Sequence, residues 1–340
     1  IEMEVKDMKR ILTSWRTVLV LMLAVSLMAG CTSRVSTSSS TSTTSVAVPD
    51  GSEELTQSQK FDNFLEDLAR EQLEDSPLTA TFKLGDLEAH GLMDLASQLD
   101  HVDIDSYKDT LAGMQEDLEI LHGFNVEELT ENQKVNYQLV EFNLETALDS
   151  GDFLYIDHLI QPSAGVQVNF PLSLMQIELE SKEEVEAFIL RVKEVPRLFD
   201  EVIEYEAERF ELGYGLPGNL YDEVAEQIDA MVGQPEEFMM YLSFVDRVDA
   251  LEELTDEERS AYKEEYLAVI RDEIFPSFEA LKNQALAMNG SSNSGSISEW
   301  SDGKDYYEAL VAYKTSNELD VEGLEAWAEE QIVELTGEFQ

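Results

Sequence analysis

From about Gly51 onward, apolar residues recur at intervals of three and four, the spacing that lines one side of an α-helix. Leu55, Phe61, Phe64, Leu65 and Leu68 form one such stripe, and Leu111, Met114, Leu118 and Leu121 another. Helix starts are marked by capping boxes at Thr130 with Gln133, Ser181 with Glu184 and Thr255 with Glu258. The longest pattern runs from Ser181 to about Leu212, with Val185, Phe188, Val192, Val195, Leu198, Phe199, Val202 and Ile203 on its apolar side. Pro196 should bend it, because a proline ring blocks the hydrogen bond to the preceding turn. A second long pattern, Thr255 to about Met288, contains Pro276, and the Gly-, Ser- and Asn-rich stretch from Asn289 to Gly303 reads as a loop. The segment around 153–174 is the least helical. Pro162, Gly165 and Pro171 punctuate it and predict an extended or turn-rich excursion with room for a strand. No βαβ alternation and no repeat period is visible. The fold class is therefore all-α, built from long, kinked amphipathic helices.

The 340 residues are 43% hydrophobic and 9% aromatic, enough to form a core. Against 22 Lys and Arg stand 72 Asp and Glu, a net charge of −50 that repels phosphate backbones and argues against nucleic-acid binding. The same field disfavours anionic membrane surfaces as partners of the folded part. A single cysteine excludes an internal disulfide framework and a thiolate zinc cluster.

That cysteine has a specific setting. After Met8 come Lys9, Arg10 and Arg16, then the apolar run Val18 to Val25, then Leu27-Met28-Ala29-Gly30-Cys31. A basic start, a short apolar core and small residues before a cut make a secretory signal. The 14 residues from Val18 to Cys31 fall short of the roughly 20 needed to span a bilayer. Ala29-Gly30 before Cys31 resembles the bacterial lipobox, which implies that Cys31 is lipidated and becomes the mature N-terminus. Of the 14 residues from Thr32 to Ser45, 12 are Ser or Thr, a composition that stays unfolded and serves as a tether. The expected organisation is a lipoprotein signal over 1–31, a flexible tether over 32–51 and a helical domain over 52–340, held outside the cytoplasm on a bacterial membrane through Cys31. The signal segment carries four basic and three acidic residues, so essentially all the acidity belongs to the exported part. The chain starts at Ile1, and Val321–Gln340 runs in a helical pattern with no closing cap. Both ends read as cut, with Met8 as the natural start.

Catalytic patterns are scarce. None of His90, His101, His122 and His158 stands in a His-Glu-x-x-His arrangement. His158 follows Asp157, and His101 lies among Asp100, Asp103 and Asp105, but among 72 acids such neighbours arise by chance. The Asp100–Asp105 cluster lacks the glycine and closing glutamate of a calcium loop and reads as a solvated helix start. Neither a nucleophile elbow nor a phosphate loop nor a dinucleotide fingerprint is present. Glu183-Glu184 and Glu329-Glu330 are best read as solvated faces, and Tyr205, Phe210 and Tyr214 as core. Asn289-Gly290-Ser291 matches a glycosylation sequon, which carries no meaning in a bacterial lipoprotein. The residues alone assign no catalytic or metal-binding position.

Several stretches together are more telling. Ser76-Pro77, Thr79-Ala80-Thr81-Phe82 and Leu84-Gly85, followed by His90, resemble the opening of the bacterial domain of unknown function 885 family. Gln161 to Gln167 with Pro171-Leu172, the helix from Ser181 to Pro196, and Gly303-Lys304-Asp305-Tyr306-Tyr307-Glu308 with Leu310-Val311 and Thr315 resemble its later segments in the same order. The resemblance spans about Ser52 to Gln340, the N-terminal half of a full member. It implies a zinc-metallopeptidase-like protein with a helical, zincin-like cleft, of which this chain forms about half. The family's metal motif, His-Glu-x-x-Pro-Gly-His, has no counterpart here, so zinc is expected only for the intact protein. Either a catalytic half is missing, or the chain is a shortened, inactive relative. The expected function is the N-terminal part of an exported, lipid-anchored peptidase-like protein acting on peptides; the alternative is a non-catalytic surface lipoprotein that binds peptide or protein partners in a helical groove.

Overall fold

The computed structural model describes residues 55–291, 293–315 and 320–338. The signal segment, Cys31 and the Ser/Thr tether lie outside the described residues. Within them every regular element is helical and no strand occurs.

The chain begins with α1 (Gln57–Glu74) and α2 (Pro77–Leu84), then α3 (Ile104–His122) and α4 (Glu131–Ser150), which pack against each other. Phe61, Phe64 and Leu68 of α1 meet Met114, Leu118 and Leu121 of α3 and Val140, Leu144 and Ala147 of α4 in a buried cluster. The predicted stripes therefore face inward, except that Leu55 precedes α1 and stays exposed. Each predicted capping box forms, at Thr130, Ser181 and Thr255, and a fourth forms at Thr56 with Gln59. Each closes two of the backbone donors that a helix start leaves open.

The larger cluster draws on α5 (Val166–Met175), α6 (Lys182–Val192), α7 (Val195–Glu211), α8 (Gly218–Met231), α9 (Met239–Ala250), α10 (Asp256–Val269) and α11 (Phe275–Met288). α11 lies against both α7 and α8. Phe278 sits at that junction, its ring edge-on to Phe199 at 5.0 Å between centroids. The stretch from Ser181 breaks after Val192 and restarts at Val195, which places Pro196 in the first turn of α7, where its missing N–H is harmless. Before Pro276 the ladder widens into a π-turn, Ile270–Ile274. That turn lets the helix pass a residue that cannot donate.

One expectation is corrected. The region around 153–174 is turn-rich only as far as Gly165 and holds no strand; from Val166 to Met175 it is helical, with Pro171 inside the helix. Phe170 and Leu174, one turn apart, are buried in the main cluster with Val166 packed against it. That burial outweighs the one hydrogen bond Pro171 removes.

α12 (Gly303–Thr315) packs on α4, whereas α13 (Val321–Glu338) has no buried residue among those described. Trp327, Ile332, Val333 and Leu335 are all more than half exposed. No described helix is long and apolar enough to cross a membrane. In urea denaturation, Phe278→Ala is expected to cost about 3–5 kcal/mol. Val333→Ser, on the uncovered helix, is expected to stay within about 0.5 kcal/mol.

Candidate functional site

α7 carries two charges on the side that faces the core. Glu206 and Arg209 are both fully buried, one helical turn apart, with 3.2 Å between their Oε2 and Nη1 atoms. Buried charges persist only when paired and hydrogen-bonded, and here both find their partners in the turn that precedes α5. Glu206 Oε1 accepts from the backbone N–H groups of Leu159 and Ile160. Arg209 donates to the carbonyls of Tyr155 and Ile156 at 2.9 and 3.1 Å, and Tyr205 donates its hydroxyl to those of Leu154 and Asp157. Six residues between Leu154 and Ile160, without regular structure of their own, are thus held by three side chains of one helix.

His158 projects from that turn onto Arg209, whose Nη1 donates to its Nδ1. An imidazole nitrogen that accepts carries no proton. Burial, reinforced by the Arg209 charge, holds the ring neutral down to a pKa of about 3. Burial pushes the Glu206 carboxyl upward, against the pull of Arg209 and the two backbone donors. Asp157 stays at the surface, yet the protein around it raises its carboxyl as well, opposed by the Arg209 and Lys314 charges.

The following residues are tied as tightly. Gln167, fully buried, donates to Gln161 O and to Gln227 Oε1, both at 2.9 Å, and Gln227 donates to Pro162 O at 2.7 Å. A Cβ at Gly165 would lie 1.9 Å from Gln167 Oε1 and 2.5 Å from Gln161 N, so only glycine fits. Facing this turn is the stretch that leads into α12. Asn293 fastens it by donating to the carbonyls of Gly213 and Gly215. Tyr214 holds Trp300 edge-on at 5.3 Å and donates to the Asp302 carboxylate at 2.9 Å; Phe153 holds Tyr306 at 5.6 Å. Gly303 is again obligatory, since a Cβ would meet Ile297 O at 1.8 Å.

Between the two walls lies a pocket of about 240 Å³ lined by Asp157, His158, Gln161, Ile297, Trp300 and Tyr306, among others. A depression of about 340 Å³ over the two proline bends, lined by Pro196, Asp200, Asp272 and Pro276, is larger. It offers exposed acids and no aromatic wall.

Among the described residues, two histidine–carboxylate triads have donor atoms within 4.8 Å of one another: His101 with Asp103 and Glu201, and His122 with Glu141 and Glu145. Neither fits a catalytic zinc. In the first, Arg197 donates to both His101 Nδ1 and Glu201 Oε1, so a guanidinium stands where the ion would be. In the second, His122 and Glu145 lie open to solvent on the α3–α4 hairpin, with no wall to exclude water. Asp103 caps α3, as a helix start should, but Asp100 turns inward to accept from Leu78 N at 3.0 Å. His90 is exposed in a turn, Glu184 serves its capping box, and Glu329-Glu330 are solvated. The aromatic series divides: Tyr205 is core, while Tyr214 buttresses the cleft.

The structure thus promotes Asp157 and His158, which their local sequence did not distinguish. One signal was available: Glu206 and Arg209 continue the apolar spacing of Val195, Leu198, Phe199, Val202 and Tyr205, so two charges fall on the side meant for the core.

The molecule is an all-α protein whose cleft is built from two segments far apart in sequence. The chain belongs to the family described as bacterial protein of unknown function (DUF885), whose model matches residues 77–340. A solved structure described as "the putative lipoprotein from Colwellia psychrerythraea" shares the fold, with a TM-score of 0.67 at 14% identity. The match covers 83% of this chain and 50% of that one, so the chain spans half the length of that relative. No curated protein matches.

The neutral His158 has a measurable consequence. In the unfolded chain it takes up a proton near pH 6.5, whereas in the folded protein it does so only near pH 3. Acidification through that window therefore favours unfolding, and the His158 contribution is complete only above pH 6.5. His158→Gln, which keeps an acceptor for Arg209, should lose less stability than the parent between pH 6.5 and pH 4 in urea titrations.

Proposed function

We propose that this chain is the N-terminal part of an exported, lipid-anchored, metallopeptidase-like protein, and that the pocket between the 157–161 turn and the 295–306 stretch belongs to the wall along which a peptide lies. The observation that carries this reading is the convergence of two remote segments, residues 156–161 and 295–306, on one pocket whose first wall is held by a fully buried ion pair. Rigid side-chain placement at a concave, partly aromatic site is what ligand recognition requires. In the complete protein a zinc ion would supply a polarised water; its ligands would come from outside this chain, and no step through it is assigned to residues here. What this chain contributes is binding and orientation.

The lipoprotein relative and the setting of Cys31 support an extracytoplasmic location, with the Ser/Thr tether lifting the helical part from the membrane. A second reading, a non-catalytic surface lipoprotein, is favoured by the exposed large apolar residues of α13, which a protein partner would bury.

Expressed from Met8 in a bacterial host and fed radiolabelled fatty acid, the chain should carry label and fractionate with membranes, and Cys31→Ser should abolish both. Labelling that survives the substitution would refute the anchor. The purified chain is expected to take up less than one zinc per molecule in equilibrium dialysis and to leave a mixed peptide library uncut. Zinc-dependent cleavage by this chain alone would show that the catalytic groups lie within it.

A further inference from the structure

The pocket has a chemistry of its own. Its volume, about 240 Å³, lies below the range of about 300–1,000 Å³ usual for whole small-molecule ligands, and suits a side chain or a chain terminus. Two aromatic groups line it, each held by a second ring: Trp300 by Tyr214 and Tyr306 by Phe153. The exposed Asp157 also lines it. No ion pair to Asp157 forms among the described residues: the Arg209 and Lys314 charges act on it only from a distance, Arg209 being fully enclosed and paired with Glu206, and Lys314 exposed beside the Tyr313 ring. His158 brings no competing charge, because Arg209 occupies its Nδ1. Trp300 Nε1 is buried and meets no acceptor among the described residues, so it is enclosed by the protein and only the ring of Trp300 is offered to the pocket.

An anion does not suit this arrangement, since its one fully buried cation is paired with Glu206 and a carboxylate lines the pocket. A metal ion does not suit it either, with a single carboxylate and an imidazole already engaged. An organic cation does, because an ammonium group is attracted by aromatic rings and by a carboxylate together.

We propose that the pocket formed by Asp157, His158, Trp300 and Tyr306 seats the primary ammonium group of a peptide, with Asp157 as counter-ion and the two aromatic side chains flanking it. The inference rests on reading the cleft as a peptide-binding wall and names the class of peptide it takes. Two sources share this chemistry: a lysine side chain and a free amino terminus.

The test is calorimetric titration of the full chain with four probes at up to millimolar concentration. These are Ac-Ala-Lys-Ala-NH2, unblocked Ala-Ala-Ala-NH2, fully blocked Ac-Ala-Ala-Ala-NH2, and n-butylammonium chloride. At least one of the two amine-bearing peptides should bind, identifying the source, and the blocked peptide should not. Asp157→Asn should weaken that binding about tenfold with an unchanged melting temperature, whereas Asp152→Asn, an exposed acid nearby, should have no effect. Trp300→Ala, which removes one flanking ring, should weaken the amine-bearing peptides and butylammonium alike. Equal binding of the blocked peptide, or indifference to Asp157→Asn, overturns the ammonium assignment while leaving the peptide wall standing. Binding of butylammonium alone, sensitive to Asp157→Asn, supports the ammonium pocket and overturns the peptide reading. Binding of no probe overturns both.

Discussion

Glu206 and Arg209 form the interaction on which the cleft depends. Removing both charges from water is expensive, and their mutual attraction offsets that cost only if the remaining donors and acceptors are also satisfied. The protein satisfies them with the backbone of residues 155, 156, 159 and 160. The dependence runs both ways: the pair needs the turn to be buried at all, and the turn has no regular hydrogen bonding to hold it without the pair. Tyr205, one turn of helix away from Arg209, extends the same grip to residues 154 and 157. A single helix face thus sets where Asp157 and His158 stand.

The opposite wall is set by different means. Its backbone is fixed by Asn293 and by close approach at Gly303, and its rings by edge contacts with Tyr214 and Phe153. Tyr214 follows directly on the end of α7, so both walls are anchored to the same helix by separate routes. Larger rearrangements of the pocket would have to disturb that helix or the contacts of α11 and α8 beneath it.

How much of this the sequence displayed depends on the range of the interactions involved. Helix starts at Thr130, Ser181 and Thr255 were legible because a capping box is complete within four residues. The apolar stripes were legible because periodicity needs no knowledge of the partner. The helix through Pro171 was not, since its stability comes from Phe170 and Leu174 packing on residues remote in sequence, which no local rule contains. The cleft failed to show for the same reason. Asp157-His158 in an acidic chain looks like any other pair until α7 is laid beside it. The family resemblance did mark Gln161–Gln167 and Gly303–Glu308, but only the folded chain shows that Gln161 and Tyr306 line one pocket.

The exposed apolar residues of α13 have a colloidal consequence. Trp327, Ile332, Val333 and Leu335 leave adhesive side chains open on a molecule that carries a charge of −50. In dilute buffer, mutual repulsion keeps two such helices apart. At physiological ionic strength the repulsion reaches only about 8 Å, and the helices are free to meet. Salt, which weakens most charge-driven associations, would here promote self-association.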